Sequence, residues 1–325
     1  MNKQEPDFYI QGILKGDVAI LSRAITLVES TKETNLELAH NILRGLRIGT
    51  EKSFRLGITG VPGVGKSTFI EGFGKEVIKR GHRLAVLAID PSSQKSKGSI
   101  LGDKTRMEEL STLPGVFIRP SPSGNSLGGV ARSTYETILL CEAAGYDYII
   151  VETVGVGQSE IAMSKITDFF LLLMLAGAGD ELQGIKRGIM EMADALVITK
   201  ADGDNINKAK AARTEYAQAM HLLQQPESGW TSRTMTCSAL TNDGIAEIYD
   251  MVEEYRRFVL ANGFFPARRE QQKLSLLKDA IDQHLKAQFY SNPRVQERLK
   301  NARPEEIADP FGFARKLLTD FLKKG

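Results

Sequence analysis

The chain has 325 residues, 42% of them hydrophobic and 25% charged. That is the balance of a globular protein able to bury a core, and it excludes a disordered, collagenous or disulfide-scaffolded chain. Lys and Arg number 42 against 40 Asp and Glu, for a net charge of +2, too even for a nucleic-acid or membrane-surface specialist.

The first ~50 residues read as a helical hairpin. Val18, Leu21, Ile25 and Val28 recur at helical spacing behind an N-cap at Asp17, and Leu36, Ala39, Leu43 and Leu46 recur behind Asn35, with Gly49 near the end. From residue 54 the pattern changes to short, nearly continuous apolar runs at 54–59, 83–90, 116–120, 147–153, 168–175, 194–200 and 234–239. Such runs fit strands buried on both faces of a parallel sheet. Helical stretches are expected between them at 68–80, closed by Gly81, and at 130–144, 205–223 and 245–260. The alternation predicts an α/β fold, a doubly wound and mostly parallel sheet.

The remainder is helical again, with a stripe of Leu274, Leu277, Ile281, Leu285 and Phe289, punctuation at Pro293 and Pro304, and a last helix over 313–321. The expected organisation is an N-terminal helical extension (1–50), the α/β domain (51–265) and a C-terminal helical segment (266–325). Cys141 and Cys237 read as core residues and Trp230 as packing. With His40, His82, His221 and His284 they form no CxxC pair or His cluster, so no zinc site or disulfide framework is readable. The opening MNKQEPDFYI lacks the order of a signal peptide, and the most apolar run, 169–176, is too short for a membrane span. A cytoplasmic protein is expected, with neither nucleic acid nor membrane as partner.

The strongest motif is Gly60-Val61-Pro62-Gly63-Val64-Gly65-Lys66-Ser67-Thr68, which matches GxxxxGK[ST] between an expected strand and an expected helix. Glycines let the backbone wrap a phosphate, amides at the helix start point inward, Lys66 supplies a charge near the β- and γ-phosphates, and Ser67 offers a hydroxyl to Mg²⁺. A glycine-rich turn that merely precedes a helix is the competing reading, and the flanking elements disfavour it.

Thr199-Lys200-Ala201-Asp202 follows an apolar strand. An Asp carboxylate there can accept from both N1–H and N2–H₂ of guanine, a donor pair that adenine lacks. Lys200 would lie along the base or brace the loop, and a backbone amide of Ser238-Ala239-Leu240 could donate to guanine O6. The alternative for Asp202 is a cap before the Gly203 turn. Between the two motifs, Asp90, Asp103 and Glu152 lie at strand ends or in adjoining loops. Together with Ser67 they are the candidate Mg²⁺ ligands. Lys66, Asp90, Asp103 and Glu152 are the candidate catalytic residues, and Gly155 offers an amide to the γ-phosphate.

Five ordered blocks carry a resemblance: ITGVPGVGKSTFIEGFG, AIDPSSQKSKGSILGDKTRM, SPSGNSLGGVARSTYETILLCEAAGYDYIIVETVGVGQSE, GAGDELQGIKRGIMEMADALVITKADGDN and CSALTNDGI. They resemble the ArgK/MeaB family of P-loop GTPases. The resemblance implies GTP/GDP and Mg²⁺ as ligands and adenosylcobalamin-dependent methylmalonyl-CoA mutase as partner. The GTPase would gate cofactor loading and protect or reactivate that enzyme, as a homodimer formed through C-terminal helices. It also implies that 60–68 is the phosphate loop, Asp103 the metal-side residue of switch I, 152–160 switch II, 177–188 a client-sensing third switch and Asp202 the guanine reader.

Two departures qualify these expectations. Val61 stands where related nucleotide-dimerised ATPases carry a second lysine, so dimerisation around ATP is not expected. Val156 follows Gly155 where small GTPases have a water-orienting Gln, which implies slow intrinsic hydrolysis accelerated by a partner. A nickel-inserting GTPase is one alternative, but it would require Cys/His clusters. A kinase for amino-acid-binding transport proteins, an older family label, is the other, and it would require ATP preference. No DxHxxG pattern surrounds any histidine, so this chain is not expected to coordinate cobalamin itself.

Overall fold

The structure, a computed structural model, describes residues 5–46, 53–89, 107–120, 127–153, 158–177, 187–223 and 226–322. It opens on three helices, α1 (Pro6–Leu14), α2 (Val18–Val28) and α3 (Glu33–Leu46), where the hydrophobic spacing predicts two. The added helix starts at Pro6, whose fixed φ and missing N–H suit a first turn. Tyr9 and Ile13 give it a buried face too short to register as a period. Asp17 caps α2 as expected, accepting from the amides of Ala19 at 2.9 Å and Ile20 at 3.0 Å. Asn35 is no cap: α3 begins two residues earlier, and the Asn35 amide donates to Ser30 Oγ at 2.9 Å. Gly49 lies outside the described residues.

Seven strands follow: β1 (Phe54–Gly60), β2 (Leu84–Ile89), β3 (Val116–Arg119), β4 (Tyr148–Thr153), β5 (Phe169–Met174), β6 (Ala195–Ile198) and β7 (Arg233–Thr236). They form one sheet in the order β3-β2-β4-β1-β5-β6-β7, and every pairing is parallel. The expected doubly wound sheet is therefore present. Every residue of β1, β4, β5 and β6 is buried, which explains why these strands read as unbroken apolar runs. β7 is shorter than its apolar run because Ser238 turns away, its amide bonding Asp243 O at 2.9 Å.

The helices between the strands are α4 (Lys66–Lys79), α5 (Glu108–Thr112), α6 (Leu127–Ala143), α7 (Gln158–Ser164), α8 (Arg187–Glu191), α9 (Ile206–His221) and α10 (Ile245–Ala261). Cys141 and Cys237 are buried, and Trp230 packs edge-on against Tyr255 while its Nε1 donates to Asp194 O at 3.1 Å. Burial pushes the Asp194 carboxyl up to about 6, against the opposing pull of Arg268 and the Phe170 amide. The chain leaves β1 for β2 on one side, and β5 to β7 extend the sheet on the other. The C-terminal end of β1 is therefore a topological switch point, where ligands of such sheets bind.

At the opposite end of β1 lies a buried ionic cluster. Arg55 forks onto Glu142 through Nε at 2.8 Å and Nη2 at 3.0 Å. Arg269, from helix α11 (Phe264–Ser291), forks onto Asp168 at 2.5 and 2.6 Å. Asp168 also accepts from the Arg55 amide at 2.8 Å, and Gln272 donates to Thr167 O at 2.7 Å.

The chain divides into two compact units, Met1–Gln272 and Lys273–Gly325. The second contains the rest of α11 and the helices α12 (Pro293–Lys300), α13 (Pro304–Ile307) and α14 (Pro310–Leu322). Pro293 and Pro304 open helices here, each in a first turn. Phe289 meets Phe321 edge-on at 5.3 Å. The stripe of Leu274, Leu277, Ile281 and Leu285 stays 48–57% exposed. Among the described residues no helix is long and apolar enough to cross a membrane.

Candidate functional site

The phosphate-loop motif occupies the switch point. β1 ends at Gly60, where an added Cβ would stand 2.5 Å from Leu173 O, so only glycine lets β1 lie this close to β5. Val61 and Val64 are buried and pin the loop from below, while Pro62 and Gly63 face outward. Val61, at the place of the second lysine of nucleotide-dimerised ATPases, thus acts in packing. Gly65 caps α4 at φ +88°, a left-handed conformation natural to glycine.

Helix α4 begins at Lys66, whose Nζ donates to Gly60 O at 2.9 Å and Val61 O at 3.5 Å. The ammonium therefore lies across its own loop. Burial pulls the Lys66 pKa down, while the negative charges of Glu152 and Glu160 push it back up. Ser67 is half-buried and Thr68 exposed in the same first turn. Glu152 is buried at the end of β4, opposite Ile58 of β1, so the structure brings this candidate to the Lys66 side of the sheet. Asp90, Asp103 and Gly155 lie outside the described residues, as does 178–186 of the expected third switch.

The base-reading candidates come together two strands away. Asp202 Oδ2 accepts from Ser238 Oγ at 2.6 Å, and Ser238 is fully buried. Lys200 adopts φ +56° and is exposed, and its carbonyl accepts from Asn205 Nδ2 at 2.7 Å. The Ala201 amide bonds Cys237 O at 2.9 Å, binding the two segments to each other. Ala239 is half-buried and Leu240 is 81% exposed beside them, a surface on which a planar base can lie.

Two residues escaped the sequence reading. Thr199 directly follows β6, its hydroxyl donating to Val64 O at 2.7 Å, a bond that ties the segment of the base-reading candidates to the phosphate-loop motif. Its signal was its place directly before Lys200 in the TKxD run. Glu160 stood in the sequence only as the far end of switch II. In the structure it is fully buried, and Thr59 Oγ1 donates to its Oε1 at 3.4 Å.

The family model described as methylmalonyl-CoA mutase-associated GTPase MeaB matches residues 21–294. A probable GTPase of Mycobacterium tuberculosis strain H37Rv is 49% identical over 282 residues, 87% of this chain and 84% of its own. The mitochondrial methylmalonic aciduria type A homolog of Mus musculus is 47% identical over 298 residues, 89% of this chain and 72% of its own. A crystal structure described as a LAO/AO transport system kinase superposes with a TM-score of 0.80 at 34% identity, covering 99% of both chains.

Proposed function

Because the chain belongs to the MeaB family of methylmalonyl-CoA mutase-associated GTPases, we propose that it serves an adenosylcobalamin-dependent methylmalonyl-CoA mutase, gating cofactor loading and protecting or reactivating that enzyme. The observation that carries this reading is the family match across both the nucleotide-binding sheet and the start of the C-terminal helices. The mouse relative's name points the same way. The kinase label of the solved relative attaches to the same family, and the Asp202–Ser238 pair favours a guanine nucleotide over ATP.

In this reading the loop amides of Gly63, Gly65 and Lys66 and the Lys66 ammonium hold the β- and γ-phosphates, and Asp202, oriented by Ser238, reads guanine. Mg²⁺ fits the donor set: the Ser67 hydroxyl and the Glu152 carboxylate are hard oxygen ligands, and Asp90 and Asp103 are further candidates outside the described residues. When bound, Mg²⁺ would neutralise phosphate charge. A homodimer through the C-terminal helices belongs to the proposal, supported by the uncovered stripe from Leu274 to Leu285. A sedimentation mass of one chain would remove that part.

The test is GTP turnover with and without the mutase. Acceleration of more than about tenfold is expected, the kind of effect a partner has on a slow GTPase. Asp180→Ala, Lys186→Ala and Arg187→Ala are expected to leave basal turnover unchanged and to weaken the acceleration. Equal loss of both rates would make the 177–188 stretch catalytic or structural, and no response to the mutase would end the proposal. For the base, Asp202→Asn is expected to lower GTP affinity at least about tenfold, since a charge-assisted bond contributes ~1.5–3 kcal/mol. The same change should raise affinity for xanthosine triphosphate, whose C2 carbonyl meets the new amide. Unchanged guanine preference would place base reading elsewhere.

A further inference from the structure

β7 is the last strand of the sheet, paired with β6 on one side only. The Cys237 amide donates to Ile198 O at 2.9 Å, and the Cys237 carbonyl accepts from the Ala201 amide at 2.9 Å. The backbone of Cys237 therefore faces β6. Alternate residues of a strand present their backbone groups to opposite sides. Arg233 and Met235 accordingly face β6 as well, while Thr234 and Thr236 turn their N–H and C=O groups outward. Gly244 closes over one of these groups, since an added Cβ there would stand 2.5 Å from Thr236 O. The Thr234 N–H, the Thr234 C=O and the Thr236 N–H have no hydrogen-bond partner among the described residues. Arg233 is exposed and the other three residues of β7 are half-buried.

This open edge forms the floor of a cavity of about 640 Å³ walled by α9 and α10, within the ~300–1,000 Å³ of ligand clefts. The two walls differ in charge. Arg213, Ala217 and His221 line it from α9, at a spacing of four that puts them on one helix face. Arg213 and His221 are both exposed, and none of the lining residues of α9 is acidic. On α10 two carboxylates already have partners. Arg80 Nη2 lies 3.0 Å from Asp250 Oδ1, and Arg233 forks onto Glu254 at 2.7 and 2.5 Å. Glu247 and Arg257, the other charged residues of that wall, offset each other. The α9 wall therefore sets the preferred sign of an occupant, and that sign is negative.

The spacing also fits a strand. Arg213 and His221 are ~12 Å apart along the helix axis, while residues i and i+4 of an extended segment are ~13 Å apart and share one face. We propose that the β7 edge is a docking groove for an extended acidic segment of another protein, which pairs with Thr234 and Thr236 as an added strand and lays two carboxylates against Arg213 and His221. In such strand addition the main-chain bonds supply affinity and the alternate side chains supply specificity. A second copy of this chain is a poorer occupant, because its own β7, Arg233-Thr234-Met235-Thr236, has a cation and no acid. None of these residues belongs to the phosphate loop or to the base-reading pair, so the groove is a second site and goes beyond the proposed function.

The test uses the full-length protein and a fluorescein-labelled peptide, Thr-Glu-Thr-Val-Thr-Glu-Thr, whose two glutamates stand at i and i+4. Saturable binding by fluorescence anisotropy is expected. The same peptide with both glutamates replaced by lysine should bind at least about fivefold more weakly, the scale of one exposed ion pair. Arg213→Glu should reverse that preference and leave GTP turnover at the wild-type rate. Two further peptides have alternate backbone nitrogens methylated, one set or the other. One set should weaken binding at least about tenfold, through the loss of main-chain bonds, and the other should bind within threefold of the parent. Amide hydrogen exchange at Thr234 and Thr236 should slow when the peptide is bound. Thr234→Pro removes an outward N–H without touching the β6 ladder, a place where an edge strand tolerates proline, and it should abolish binding with the melting temperature retained.

No saturable binding of the glutamate peptide overturns the proposal. So does an equal effect of the two methylated sets, because only a strand docked by one edge tells them apart, and so does a glutamate preference that survives Arg213→Glu. Slowed exchange at Thr234 and Thr236 that grows with protein concentration in the absence of peptide makes a second copy the occupant and overturns it as well. If Thr234→Pro does not fold, the methylated peptides on the wild-type protein decide.

Discussion

Replacing Lys66 by alanine is expected to lower GTP affinity at least about a hundredfold, with the fold retained. Two quantities set the scale. A hydrogen bond from a charged donor contributes ~1.5–3 kcal/mol, and each ~1.4 kcal/mol is tenfold in affinity. The ammonium can also donate more than once. The loop from Val61 to Gly65 contains only apolar side chains and glycine, so it carries no second cation of its own. The loop itself should survive the change, since its path is set by buried Val61 and Val64, by Gly60 against Leu173 and by the Thr199 hydroxyl on Val64 O. Isothermal titration with GTP and GDP, with a circular-dichroism melt on the same samples, reads both halves. Affinity within threefold of wild type would refute the assignment of Lys66 to the phosphates. Lost affinity with a collapsed melt would mean that the bonds of Lys66 to Gly60 O and Val61 O are structural.

The sheet was legible because its strands are buried on both faces. A run such as Phe169–Met174 can be little else when it is six residues long and wholly apolar. The phosphate loop was legible for another reason: wrapping backbone around an anion demands glycines at fixed intervals, whatever the rest of the chain does. What escaped notice were contacts made across the sequence. Nothing local to Thr199 says that its hydroxyl will reach Val64, 135 residues away, and nothing local to Glu160 says that Thr59 will lie above it. The N-terminal helix α1 was missed for lack of length, as its buried face is Tyr9, Gly12 and Ile13 alone. Asn35 misled because a residue type favoured at caps is also tolerated inside a helix when its side chain finds a partner, here Ser30. The C-terminal stripe was read from its spacing, yet spacing cannot tell what covers it.

The ionic cluster at the far end of β1 gives the largest expected effect on stability. Arg269→Ala is expected to cost ~3–5 kcal/mol, the usual loss when one partner of a buried pair is removed and the other charge stays behind. For a unit of this size that is a fall in melting temperature of roughly 10 °C. The guanidinium gives Asp168 two bonds at 2.5 and 2.6 Å and donates a third to Ser53 O at 3.2 Å, with both side chains at most 5% exposed. After truncation the Asp168 carboxylate keeps the Arg55 amide as its hydrogen-bond donor among the described residues. The Arg233–Glu254 pair is the control. Its bonds are as short, at 2.7 and 2.5 Å, but its side chains are 44 and 48% exposed. Arg233→Ala is therefore expected to cost less than ~1 kcal/mol, and added salt should erase that difference while leaving the Arg269→Ala loss in place. The double variant Arg269→Met with Asp168→Asn removes both charges and is expected to recover part of the loss, as buried pairs replaced together do. Nucleotide affinity well below the melting temperature should not move in any of these variants. Arg55 and Gly60 stand five residues apart along β1, ~17 Å of extended strand, so the cluster and the phosphate loop act at opposite ends of the sheet. A melting temperature for Arg269→Ala within 2 °C of wild type would show that the cluster is no stronger than a surface pair.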